Sequence, residues 1–351
     1  EHLAGRVTFA AAFARTRTKG IPMFPVKIAG LGVYLPQRRV TNGELEERLA
    51  LPPGWIERRT GIRERRYVTA ESSAGMGAVA LQRALTMANA TVGDIDLIIG
   101  ASTGPQHAIP CTAALVQREL GAPDGGSVCF DLNATCLTFL FALQTAAQLL
   151  AAGTYQTVAI FSSEIASRSL NPKEPESAVL FGDGAAAVIL TRTPPGESSS
   201  IGCGHFATHS SGAELTMLAG GGTQHHPNDP ATTPEMNLFR MDGRAIFKKA
   251  SRLLGPFLET YWTKSMLCAN AFDWVVPHQA SRHGLDLLSA RFGFVQEKIV
   301  SNLAVRGNCI AASIPLALAE AVEAQQIRRG DHLLLLGSGA GLTLGALAVT
   351  F

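Results

Sequence analysis

The chain has 351 residues, 46% apolar and 17% charged, with 35 glycines and 18 prolines; this excludes a disordered chain or a lone small module and allows about two domains. With 30 Lys and Arg against 28 Asp and Glu, the net charge is +2, so no global field favours nucleic acid or a membrane, and any basic site must be local. The 6 cysteines (Cys111, Cys129, Cys136, Cys203, Cys268, Cys309) form no CxxC pair, which fits reduced thiols in a cytoplasmic setting rather than a disulfide framework or zinc site.

Residues 1–22 carry Arg6, Arg15, Arg17 and Lys19 against Glu1 and contain no serine, so they read as an N-terminal extension ahead of Met23 rather than as a transit peptide. Short runs rich in Val, Ile and Leu then predict strands at Val26–Val33, Asp96–Ala101, Val158–Ser162, Ala186–Thr191, Trp274–Val276, Leu333–Leu336 and Thr343–Val349. Helical stretches at Ser73–Asn89, Thr112–Leu120 and Arg244–Tyr261 alternate with them, which makes the class α/β. Two further helices, Leu137–Ala152 and Ala311–Ala324, are apolar around most of their circumference and must be covered on nearly every side. Gln144 and Gln148 interrupt the first, leaving no unbroken apolar run of the length a membrane span needs.

An offset of about 175 residues superimposes the second half of this pattern on the first. The expected organisation is therefore a duplicated fold with layers of helix, sheet, helix, sheet and helix. Its halves are 23–195 and 196–351, joined near the Thr193–Ser200 linker. The polar, turn-rich Gly220–Pro234 stretch reads as a surface loop, and its His225 and His226 as exposed polar residues rather than metal ligands.

Cys136 falls where the Val128–Leu132 run turns into the first buried helix. Unpaired N–H groups and the positive dipole end there favour thiolate, and such sites lower a thiol pKa from about 8.5 to roughly 3.5 to 7.5. His278 follows a buried strand in DWVVPHQAS, where its side chain can project into a site at the strand's carboxyl end. Asn308 stands at the entrance to the second buried helix in VRGNC. Taken singly, these residues also read as a small buried Cys, a core His and a helix N-cap. The duplication brings both helix entrances toward one centre, so the three converge on one pocket.

FDLNATC, VVPHQAS, RGNCIAAS, AVLFGDGAAA, GWIERRTGIRERR and GSGAGLTLGA occur in order over about Val26 to Phe351. With them the chain resembles the β-ketoacyl-acyl carrier protein synthase III family of thiolase-fold condensing enzymes. The resemblance implies a thiolase-like, internally duplicated five-layer αβαβα fold, a homodimer, and a Cys136, His278 and Asn308 triad. It also implies an oxyanion hole from the backbone N–H groups of Cys136 and Ala340, the latter within Gly339–Gly341. The substrates implied are acyl-CoA and a malonyl thioester on acyl carrier protein, joined in a decarboxylating condensation through an acyl-Cys136 intermediate. No cofactor, metal, nucleic acid or membrane is expected.

Within the arginine cluster Arg58, Arg59, Arg63, Arg65 and Arg66, the resemblance makes Trp55 the residue that stacks on the CoA adenine and Arg59 a phosphate contact. Two other basic CoA contacts of the family are Pro175 and His283 here, with Arg282 adjacent to the second. Lys248, Lys249 and Arg252 are expected to dock the acidic carrier protein, and Ile109 to limit acyl length, often across the dimer interface. A biotin-pathway-type synthase taking a dicarboxyl acyl-CoA, with Arg168 on the distal carboxylate, is an alternative, as are a secondary-metabolite acyltransferase with the same triad and a non-catalytic acyl-CoA binder. A dinucleotide-binding oxidoreductase is disfavoured, because Gly30–Gly32 lacks the third glycine of that fingerprint.

Overall fold

The structure, a computed structural model, describes residues 22–202 and 204–351. The expected extension, apart from Pro22, lies outside the described residues, as does Cys203.

Two mixed sheets have the same strand order. The first runs Val26–Tyr34, Gly184–Arg192, Thr157–Glu164, Leu97–Gly100 and Val128–Asp131. In the second, His205–Thr208 and Ser200–Gly202 pair in succession along one edge of Thr343–Thr350, whose other edge takes His332–Gly339, followed by Trp274–Pro277. A single parallel bridge from Val275 to Ile299 stands where the first sheet has its Val128–Asp131 edge. Both sheets thus read first, fifth, fourth, second, third in chain order. Met23–Phe24 pairs with Ser200–Gly202, so the opening residues of the expected 23–195 half belong to the second sheet.

Alternation along the strands sorts their side chains between layers. Leu97, Ile99, Val158 and Ile160 enter a central cluster, whereas Ile98, Ala159 and Phe161 face the opposite side. In the second sheet Leu333, Leu335, Leu347 and Val349 face the same centre, and Leu334, Leu336, Ala346 and Ala348 face away. The centre holds the helices Thr138–Ala152 and Ser313–Glu323. Ser73–Ala88 and Thr112–Glu119 cover the outer face of the first sheet, and Gly243–Ser265 and Arg282–Phe292 that of the second. This is the expected five-layer order.

Thr138–Ala152 is built of good helix formers and ends at Gly153, whose φ of 80° suits glycine. Its extension Thr135–Ala152 is, by length and a mean hydropathy of 1.5, apolar enough to cross a membrane despite the two glutamines. Its leucines instead pack between the two sheets, where each fully buried one is worth about 1.5 to 3 kcal/mol relative to exposure.

Candidate active site

The turn leading into each central helix, entered from the strand Val128–Asp131 in the first half and from the short helix Leu303–Arg306 in the second, is built twice with the same hydrogen bonds. In the first, Asn133 Oδ1 accepts from the Thr135 N–H (2.9 Å), the Ala134 N–H donates to Thr138 Oγ1 (2.9 Å), and Thr135 has φ 51°. In the second, Asn308 Oδ1 accepts from the Ile310 N–H (2.9 Å), the Cys309 N–H donates to Ser313 Oγ (3.0 Å), and Ile310 has φ 50°. The counterpart of Cys136 is therefore Ala311, and that of Asn308 is Asn133. Cys309 matches Ala134.

These counterparts are used differently. Asn133 also donates from Nδ2 to Thr103 O (3.0 Å), so both ends of its amide are engaged. Among the described residues only the Oδ1 of the Asn308 amide is engaged, by its own turn, which leaves Nδ2 as the end available to a cavity ligand. The Asn308 backbone is clasped by the AVLFGDG segment: its N–H donates to Leu180 O (2.8 Å), and its carbonyl accepts from the Gly182 N–H (3.1 Å). A Cβ on Gly307 would lie 2.8 Å from Leu180 O at a φ of 66°, so RGNC and AVLFGDG fit together only with glycine there.

His278 leaves the strand Trp274–Pro277 with its N–H donating to Leu336 O (2.8 Å). Its neighbour Gln279 is buried, and Gln279 Oε1 accepts from Ser301 Oγ (3.0 Å), the Asn302 N–H (3.1 Å) and the Leu303 N–H (3.0 Å), which pins the backbone beside the imidazole. The strand His332–Gly339 then runs so close to the Cys136 turn that a Cβ on Gly339 would lie 2.8 Å from Thr135 Oγ1. That approach brings the Ala340 N–H to Cys136 Sγ, where the Cys136 N–H also points.

Cys136, His278, Asn308 and Ala340 line one cavity of about 800 Å³. Cys136 lies in the 3₁₀ turn Thr135–Leu137, just before the α-helix. Burial pushes its thiol up to about 12, the Glu164 carboxylate adds to the rise, and the two N–H groups oppose it without prevailing. The expected low-pKa thiolate is thus corrected: desolvation in an enclosed, acid-flanked site outweighs the helix entrance. Burial likewise lowers His278 to about 4, so its imidazole is neutral near pH 7, and among the described residues Nδ1 has no protein partner.

Ile109 is 89% exposed and does not line this chain's cavity. Trp55 and Arg59 share the helix Trp55–Thr60, outside the cavity, with the Arg59 guanidinium 5.5 Å from the Trp55 ring centroid. Arg282 packs over Gly61 at the end of that helix. Within the arginine cluster Arg65 is an internal strut, being fully buried and donating to Asn42 Oδ1 and Val179 O (2.8 Å each). On Gly243–Ser265, Lys248 and Arg252 are exposed, whereas Lys249 turns aside to donate to Ser211 Oγ (2.8 Å). Arg244, one helical turn before Lys248, completes the exposed stripe and was not expected.

Two features escaped the sequence reading. Glu164 ends the strand Thr157–Glu164, lines the cavity and is buried. The stem of the Gly220–Pro234 loop supplies Met217, Leu218, Phe239 and Met241 to the cavity wall. The alternation of SSE and the apolar residues flanking the polar loop were the available signals.

Two family models match the chain: "3-Oxoacyl-[acyl-carrier-protein (ACP)] synthase III" over residues 130–212 and the corresponding C-terminal model over residues 263–351. Beta-ketoacyl-[acyl-carrier-protein] synthase III 3 of Streptomyces coelicolor is 37% identical over 329 residues, covering 92% of this chain and 96% of the relative. The synthase III of Clostridium perfringens is 36% identical over 321 residues, covering 91% of this chain and 97% of the relative. The solved structure of 3-oxoacyl-[acyl-carrier-protein] synthase III from Aquifex aeolicus superimposes with a TM-score of 0.83 at 34% identity, covering 93% of this chain and 100% of that one. Xanthomonas campestris OleA shares the fold at a TM-score of 0.83 and 22% identity, covering 94% of this chain and 98% of that one.

Proposed function

Since the chain belongs to the 3-oxoacyl-[acyl-carrier-protein] synthase III family of condensing enzymes, we propose that it performs a decarboxylating Claisen condensation through an acyl-Cys136 thioester, serving fatty-acid or related biosynthesis. Cys136 Sγ attacks the carbonyl of an acyl thioester such as acyl-CoA, and its proton passes to the departing thiolate. The Cys136 and Ala340 N–H groups hold the oxyanion as it forms. A malonyl thioester on acyl carrier protein then enters. His278 and Asn308 Nδ2 donate to its thioester oxygen, CO2 departs, and the carbanion attacks the acyl carbonyl. Cys136 leaves as thiolate and takes up a proton, giving a β-ketoacyl thioester. The observation carrying this reading is that Cys136 from one half and His278 and Asn308 from the other share a single cavity, with the Asn308 amide oriented as a donor.

Arg168 favours a second reading of the donor. It lines the same cavity, and among the described residues no carboxylate lies within 4.0 Å of its guanidinium. A free cation in an acyl cavity suits a dicarboxyl acyl-CoA. We also propose a homodimer: Val128–Asp131 is an open sheet edge with Val128 50% exposed, and the segment after exposed Ile109 is tied to it by Thr112 N–H donating to Asp131 Oδ2 (2.6 Å). Ile109 would then limit acyl length in the partner's cavity. A donor panel of mono- and dicarboxyl thioesters, on CoA and on pantetheine, tests these assignments together. Arg168→Ala should lose dicarboxyl donors selectively, and Ile109→Ala should lengthen the accepted chain in a protein that sediments as a dimer. Trp55→Ala and Arg59→Ala should raise KM for CoA donors alone. Unchanged profiles in any of these variants count against the corresponding assignment.

Lys248 and Arg252, with Arg244, are the proposed carrier dock beside the cavity-lining Ile246. Reversing the charge at Lys248 and Arg252 should raise KM for malonyl-carrier protein about tenfold or more and leave malonyl-CoA kinetics unaffected. Equal effects on both substrates would show that the face does not recognise the carrier.

A further inference from the structure

The mechanism above leaves one buried carboxyl of the cavity unused. Glu164 lines the cavity with Cys136, and the N–H groups of Thr103 (2.6 Å), Gly104 and, from the second turn, Ala311 point at its carboxylate. Ala311 is the duplicate of Cys136, so its N–H is the second copy of an amide assigned to the oxyanion in the first turn. One copy of this amide pocket holds an internal carboxyl group; the other is left open beside a thiol.

We propose that Glu164 is a positioning residue that governs the reactivity of Cys136: its carboxylate fills the second turn's copy of the amide pocket, and its charge sets how readily the neighbouring thiol yields a proton. The inference rests on Cys136 being the nucleophile. Protonated Glu164 lets the thiolate form, whereas ionised Glu164 places a like charge close by and suppresses it. The carboxyl is poised for this role, since burial pushes it up to about 7 against the N–H groups that lower it. Cys309 on the second turn feels both Glu164 and Asp183 of the AVLFGDG segment, and Glu71, Arg168 and His278 share the cavity wall with Glu164. His278 is neutral over the relevant range, and Glu71 is held down to about 2 by its own turn, so neither changes charge near pH 7.

The test is the rate of Cys136 alkylation by iodoacetamide from about pH 6 to 9, read by peptide mass spectrometry in wild type, Glu164→Gln and Glu164→Asp. The Gln variant should rise about tenfold per pH unit throughout. Wild type and Glu164→Asp should follow it at low pH, bend near pH 7 and fall about tenfold behind. Profiles that agree within twofold would overturn the inference and leave the nucleophile assignment intact. Should the Gln variant fail to fold, the wild-type bend decides by itself, and a straight rise through pH 7 overturns the inference. Absence of any adduct on Cys136 would remove the nucleophile and the inference together.

Discussion

Cys136→Ala is expected to lower condensation by on the order of 10⁴-fold or more, because no thioester can be held between departure of the first thiol and arrival of the malonyl group. Sγ already faces a cavity, so removing it opens little new void, and the melting temperature should change by no more than a few degrees. Binding of acyl-CoA should persist, since Trp55 and Arg59 lie away from the sulfur. Steady-state turnover with malonyl-carrier protein, beside a melting curve and a binding isotherm, provides the check. Residual turnover within a hundredfold of wild type would mean that acyl transfer does not pass through this thiol.

The second large effect separates the two chemical steps. His278→Ala and Asn308→Asp should each lower condensation about 100- to 1000-fold, the usual consequence of removing one preorganised donor from a developing oxyanion, while acylation of Cys136 continues. Aspartate is the informative choice at position 308. Its carboxylate can still accept from the Ile310 N–H and so keep the turn, but it presents an acceptor where the malonyl oxygen needs a donor. Because burial holds His278 near 4, its loss of charge is complete below neutral pH, and condensation should show no inflection from this imidazole between about pH 5 and 8. Rapid-quench measurement of acylation, set against turnover, checks the pair. Equal loss in both steps would place these side chains in general support of the site rather than in decarboxylation.

Much of the architecture was legible from periodicity. Helices apolar on every side have no stable place except between two layers, and the repeat near 175 residues by itself puts Cys136 and Asn308 at related turns. Departures arose where burial or orientation, rather than spacing, decides. A helix entrance predicts an acidic thiol only if solvent or a cation accompanies it, and here enclosure and Glu164 reverse the sign. Adjacent residues on a helix point about 100° apart, so Lys248 and Lys249 could not both serve one face; Arg244 shares it instead. Arg65 reads in sequence like its exposed neighbours, but alternation along the strand Glu64–Tyr67 turns it inward to Asn42 and Val179. Glu164 carried no motif of its own, and its significance depends on Ala311, a residue whose importance is apparent only beside its twin.

Central to this account is a covalent acyl group on one sulfur. The most direct measurement is intact-mass and peptide mass spectrometry of the wild-type protein after incubation with a single acyl-CoA and no malonyl substrate. The expected result is one added acyl group per chain, localised to Cys136 and discharged when malonyl-carrier protein is supplied. An acyl group on any other residue, or an unmodified protein that nevertheless turns over, would contradict it.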